Sequence, residues 1–167
     1  MKLSSALLCT LLCSAAFSAA ACPAHAAEAQ QTVTPLGTYA SARAAEDRFA
    51  GQVRVDRLFN ATKETPYTAA SVTFEPGART NWHSHPAGQH LIVTAGKGLT
   101  GTKDGKVVEF RAGDEIYCPP DVVHWHGASP SMGMTHIAIT GIKDGKSTSW
   151  GGRVSDEQYN AARKDRD

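Results

Sequence analysis

The sequence predicts an all-β fold, a barrel or sandwich of the jelly-roll kind that ends in a short C-terminal helix. Three observations point to it. Short runs that alternate apolar and polar residues recur at close spacing from about residue 51 onward. Turn chemistry separates them, in "EPGAR" and in two copies of "KDGK". Helix signals are confined to the last residues, "SDEQYNAARKDR", where Ser155 can cap and Gln158 can complete a capping box.

The first segment belongs to something else. Lys2 precedes a run of leucines and small residues, and Ala24-His25-Ala26 forms an Ala-x-Ala site before Ala27. That is the layout of a secretory signal peptide over residues 1–26, so a periplasmic or secreted bacterial protein is expected. A membrane anchor is the alternative, disfavoured because the strongly hydrophobic core is short. A lipoprotein leader at Cys22 fits less well still, since only alanines precede it. Cleavage removes one base and no acid, leaving 141 residues with sixteen of each sign. A balanced charge gives no reason to expect a nucleic-acid or anionic-membrane partner. Cys9, Cys13 and Cys22 leave with the leader. The remaining thiol, Cys118, cannot form an internal disulfide and reads as a small buried hydrophobe, with a redox or metal role as the alternative.

Residues 27–49 lack clear periodicity and read as an N-terminal arm or linker. The barrel domain is expected over 50–154 and the helical tail over 155–167. Within the barrel, "QVRVDRLF" and "YTAASVTF" are strands. "HLIVTAGKGLTGT" is a strand broken by glycines, and "KVVEF", "EIYC", "VVHWH" and "GMTHIAITGI" complete the series. Trp82, Trp125 and Trp150 are expected in the core or at an interface.

Six histidines remain after the leader: His83, His85, His90, His124, His126 and His136. Residues two apart on a strand share a face. His83 and His85 therefore project together, as do His124 and His126. If their strands are neighbours, all four face one interior. Imidazoles crowded in a dry cavity need hydrogen bonds or a metal. A divalent cation satisfies several at once, and a hydrogen-bonded cluster without metal is the alternative. His90 should point to the opposite face, toward solvent. His136 lies on a predicted strand, either as a core residue or as a pocket acid or base.

Two segments then carry a resemblance. "GARTNWHSHPAGQHLIVTAG" resembles the first motif of the cupin superfamily, with Gly77 and Gly96 at its ends, His83 and His85 as the pair, and Gln89 where most cupins have Glu. "GDEIYCPPDVVHWHGA" resembles the second through Gly113, Pro119 and His124, with Asp121 in place of the usual Gly and Ala128 in place of the usual Asn. The resemblance covers roughly residues 50–142. It implies a cupin β-barrel holding one divalent metal on His83, His85, Gln89 and His124. Imidazoles with an amide oxygen suit Mn, and also Fe, Co, Ni or Zn.

"VRVDRLF", the first motif and "HWHGASPSMGMTHIAI" are similar, more narrowly, to small bacterial manganese-dependent cupin hydroxynitrile lyases, which use three His and one Gln. This resemblance implies cyanohydrin cleavage on a small-molecule substrate. His126 and His136 are then the acid/base and cyanide-handling residues, and Ala70, Val72 and Thr140 line the pocket. Thr140 departs from the larger polar residue expected there. A metal-dependent oxygenase and a non-catalytic binding module of the cell envelope are the alternatives. A homo-oligomer, dimer or tetramer, is also expected from the family.

Overall fold

A computed structural model describes residues 30–35 and 37–161. The expected leader, and the part of the predicted helix beyond residue 161, lie outside those residues. The chain divides into Met1–Val33 and a compact unit, Thr34–Asp167, which contains every described strand. Among the described residues no helix is long and apolar enough to cross a membrane.

The strands are β1 (Ala42–Arg43), β2 (Phe49–Ala50), β3 (Val53–Phe59), β4 (Tyr67–Phe74), β5 (Arg79–Thr80), β6 (His83–Ser84), β7 (Gln89–Thr102), β8 (Val107–Arg111), β9 (Glu115–Cys118), β10 (His124–Ala128), β11 (Met134–Gly141) and β12 (Ser149–Trp150). The helix α1 (Asp156–Asn160) follows. The main order is β1-β3-β4-β11-β7-β10-β5-β2, and every pair along it is antiparallel. The curled sheet buries one face of each long strand, as the alternation in the sequence requires. On β4 the residues Val72 and Phe74 are buried, and on β11 His136 and Ala138.

Two expectations change in detail. The glycine-rich run does not break β7: it is one strand of 14 residues that bends. Its first half pairs with β9 and β11 and its second half with β8 and β10. Gly96 is the joint. Its φ is +74°, and a Cβ there would stand 1.9 Å from the Gly133 carbonyl oxygen, so only glycine lets the strand cross from one side of the barrel to the other. The segment 27–49, expected as an arm, supplies β1 and the first residue of β2, which pair with β3 and β5. Two-residue strands are too short to show a period.

The core has two parts. Val53, Val72, Phe74, Val93, Phe110 and Met134 fill one end. Trp82, Leu99, Trp125, Val154 and Tyr159 fill the other. Helix α1 closes this second part. Ser155 accepts from the Gln158 backbone N–H while Gln158 accepts from that of Ser155, the expected capping box. The Tyr159 hydroxyl donates to the Ala128 carbonyl at 2.6 Å, and its ring packs on Trp125. Trp82 and Trp125 are buried as expected, whereas Trp150 is 37% exposed at the rim of the histidine cavity.

Candidate metal centre

Strand pairing brings the histidines together. In register, His83 on β6 faces His124 on β10, and their ring centroids are 4.3 Å apart. His85 follows immediately after β6, with its ring 5.0 Å from His83 and 5.5 Å from His124. Gln89 opens β7 and lines the same cavity as His83 and His85. All four are buried. One ring nitrogen from each of His83, His85 and His124 lies within 4.8 Å of the others.

Hydrogen bonds fix which nitrogens converge. His83 Nδ1 meets the Asn81 carbonyl at 3.0 Å, His85 Nδ1 the Ser147 carbonyl at 2.8 Å, and His124 Nδ1 the Val122 carbonyl at 2.9 Å. A carbonyl only accepts, so each Nδ1 must carry the proton and donate it. In a neutral ring the lone pair then sits on Nε2. Burial keeps the rings neutral. It pushes His83 well below its ordinary range, with the neighbouring His124 adding repulsion, and it lowers His124 as well. Burial also takes His85 down to about 4. Gln89 is oriented in the same manner: its Nε2 donates to Thr140 Oγ1 at 2.9 Å, which leaves Oε1 as the free end. His85 Nε2, His124 Nε2 and Gln89 Oε1 are buried acceptors with no hydrogen-bond partner. Several buried lone pairs left unsatisfied together would be costly without a common acceptor of electron density. A divalent ion meets that need, and the donor set fits one.

The other sequence-selected residues distribute around this cluster. His126 and His136 line the cavity beside it, with rings 5.0 Å apart and nearly perpendicular. His126 Nδ1 and both nitrogens of His136 are buried without partners. Burial again holds them neutral, with His126 pushed well down and His136 to about 3. Ala70, Val72 and Thr140 line the cavity, which measures about 520 Å³. His90 points outward, stacks on Tyr117 and hydrogen-bonds Glu115 at 2.7 Å. Cys118 is buried, and burial followed by the Glu115 charge pushes its thiol up to about 12, so it is neither a ready nucleophile nor a ready ligand.

Several residues were not assigned to the cavity from the sequence, among them Trp150, which was expected in the core or at an interface. Trp150 lies 4.9 Å from the His83 ring, and Arg48 lies over Trp150. Ser147 supplies the carbonyl that locks His85. Its position follows from the second "KDGK", where Asp144 and Gly145 both have positive φ, the tight turn that the Asp-Gly pair predicts. Arg57 also lines the cavity, and its place two residues beyond Val55 on an alternating strand was the signal for it.

Known proteins agree with this architecture. Residues 70–137 match the model of the cupin domain. The chain is 50% identical over 124 residues to a protein of Granulicella tundricola named (R)-mandelonitrile lyase, covering 74% of this chain and 95% of that one. A cupin-like protein from Thermotoga maritima superposes with a TM-score of 0.66 at 41% identity, over 72% of this chain and 91% of the other. A cupin-2 domain from Rhodospirillum rubrum shares the fold with a TM-score of 0.58 at 13% identity, over 82% and 89% of the two chains. The barrel, its converging imidazoles and these likenesses agree, and the chain belongs to the cupin family.

Proposed function

We propose that the protein is a divalent-metal-dependent carbon–carbon lyase of the hydroxynitrile-lyase type, cleaving a cyanohydrin to a carbonyl compound and cyanide or running the reverse addition. The observation that carries this reading is the pairing of two buried sets. Three locked imidazoles and one neutral amide oxygen form the first, and His126 and His136, with unpartnered ring nitrogens, form the second. The half-identical relative named as a mandelonitrile lyase supports the reaction class. His83, His85, Gln89 and His124 would hold the ion. Mn(II) is the proposed species, and Fe(II), Ni(II), Co(II) and Zn(II) accept the same donors. With no carboxylate to offset its charge, a divalent ion there supplies a Lewis acid that favours ionisation of a neighbouring hydroxyl.

His126 and His136 do the proton work. Each neutral ring has one N–H and one lone pair. One ring accepts the hydroxyl proton at its free nitrogen. The O–H electron pair becomes the second bond of the carbonyl, and the C–CN pair leaves on the nitrile carbon. The other ring donates N–H to the departing cyanide, and the abstracted proton leaves with it as hydrogen cyanide. Before substrate enters, His136, at about 3, is a weak base. Negative charge arising beside it raises its proton affinity during the transfer. Ala70 and Val72 leave room for the substrate, and Thr140 holds Gln89.

The test is benzaldehyde release from mandelonitrile by Mn(II)-loaded protein. Release should depend on metal and stop on chelation, and His126→Ala and His136→Ala should each lower kcat by about 10²–10⁴-fold. No release above background, or oxygen uptake in its place, contradicts the reading.

Two further features belong to the same proposal. The leader-like residues 1–26 direct export, which N-terminal sequencing of the mature protein checks. Association as a dimer or tetramer is supported by apolar side chains left exposed on the barrel, among them Ile92 and Tyr117, and sedimentation measures it.

A further inference from the structure

The charge of the cavity is one-sided. Among the described residues Arg43, Arg48 and Arg57 line it, and no aspartate or glutamate does. The two nearer the N-terminus have carboxylate neighbours at the surface, Arg43 with Glu46 at 3.4 Å and Arg48 with Asp47 at 3.8 Å. Arg57 has no ion pair among the described residues. Its one polar side-chain partner there is the neutral amide of Asn60, whose Oδ1 accepts from Nη1 at 2.7 Å.

The register shows where Arg57 stands in the sheet; its side chain is exposed on β3 and lines the cavity. Arg57 on β3 is opposite Ala70 on β4, Ala70 is opposite Ala138 on β11, and Ala138 is opposite Leu91 on β7. The adjoining row runs Thr68, Thr140, Gln89, and the row on the other side Val55, Val72, His136. Ala70 and Ala138 thus form a low floor between Arg57 and the Gln89–histidine end. Three inter-strand steps separate β3 from β7, about 14 Å of backbone. An arginine side chain reaching from β3 over that floor would take up part of the span, and the remainder suits a small molecule with polar groups at both ends.

We propose that the cavity takes an anionic substrate: a small hydroxy compound bearing a carboxylate several bonds from its hydroxyl, with the carboxylate paired to Arg57 and the hydroxyl at the histidine end. A planar guanidinium matches a carboxylate with two parallel hydrogen bonds, which a neutral aromatic cyanohydrin cannot offer. The hydroxyl end rests on the metal-centre reading above, while the anion subsite stands apart from it.

The experiment compares 4-(hydroxymethyl)benzoate with benzyl alcohol by calorimetry, on the Mn(II)-loaded and on the metal-free protein. The acid should bind the loaded protein about tenfold more tightly than the alcohol, the scale expected of one partly solvated bidentate pair. The preference should persist, with both ligands weaker, in the metal-free protein. Arg57→Gln should abolish the preference with melting temperature and metal content unchanged, and Arg57→Lys should restore part of it. Equal binding of acid and alcohol, or a preference that survives Arg57→Gln or vanishes in Arg48→Gln alone, overturns the proposal. Failure of mandelonitrile cleavage is a separate outcome, since the preference is read without turnover.

Discussion

Thr140 shows how much one hydroxyl can decide. An amide can turn either end toward a cation, and only the oxygen end binds it. By accepting from Gln89 Nε2, Thr140 selects that end, just as three backbone carbonyls select Nε2 on three histidines. Thr140→Val should therefore weaken Mn(II) binding by about 10–100-fold, the range for loss of a partner that orients a ligand. Thr140→Ser should restore most of it, with calorimetric titration of Mn(II) as the readout. Unchanged affinity in the valine variant would mean that Gln89 is held by other contacts. The sequence placed Thr140 at the cavity but gave no hint of its bond to Gln89. That bond depends on the pairing of β7 with β11, which no local pattern contains.

Between residues and barrel stands the loop that carries the second motif. Asp121 occupies the place where the family resemblance expects glycine, and its φ is +62°. Left-handed backbone is costly for most side chains, and aspartate is among the few that tolerate it. The Asp121 backbone N–H donates to the His85 carbonyl at 2.9 Å, so this turn braces one of the clustered histidines. Asp121→Gly should be neutral or slightly stabilising. Asp121→Val should cost about 1–3 kcal/mol in denaturant unfolding, because a β-branched residue strains there. The departure from the motif was visible in the sequence, and the backbone angle explains why both residues serve. The long strands were equally legible, because their alternation survives folding. Less legible were β1, β2, β5, β6 and β12, two residues each, which exist only through their partners. His83 and His85 were grouped by strand alternation. The structure keeps the grouping, although β6 ends at Ser84 and His85 lies beyond it.

Taken whole, the barrel holds itself together without an internal disulfide available to residues 27–167, and it shelters several neutral imidazoles. That has a consequence in acid. His136 is held at about 3 in the folded chain and sits near 6.5 when exposed. Between those values the unfolded chain binds a proton that the native state refuses, so stability rises with pH across that window and levels off above it. Acidification of the metal-free protein below about pH 6.5 should therefore lower its stability by up to about 1.4 kcal/mol per pH unit from this group alone. His126, also pushed down by burial, adds to the slope in the same direction. Thermal melts between pH 7 and pH 5 check this, and His136→Leu should lower the slope by this group's share while the other buried imidazoles keep the rest.

The central claim, a divalent metal held by three imidazoles and an amide oxygen, is tested most directly by anomalous diffraction at the manganese edge from crystals of Mn(II)-loaded protein. The expected result is one peak per chain, within bonding distance of Nε2 of His83, His85 and His124 and of Oε1 of Gln89. A peak elsewhere, contact through any Nδ1, or no peak at saturating Mn(II) would contradict it.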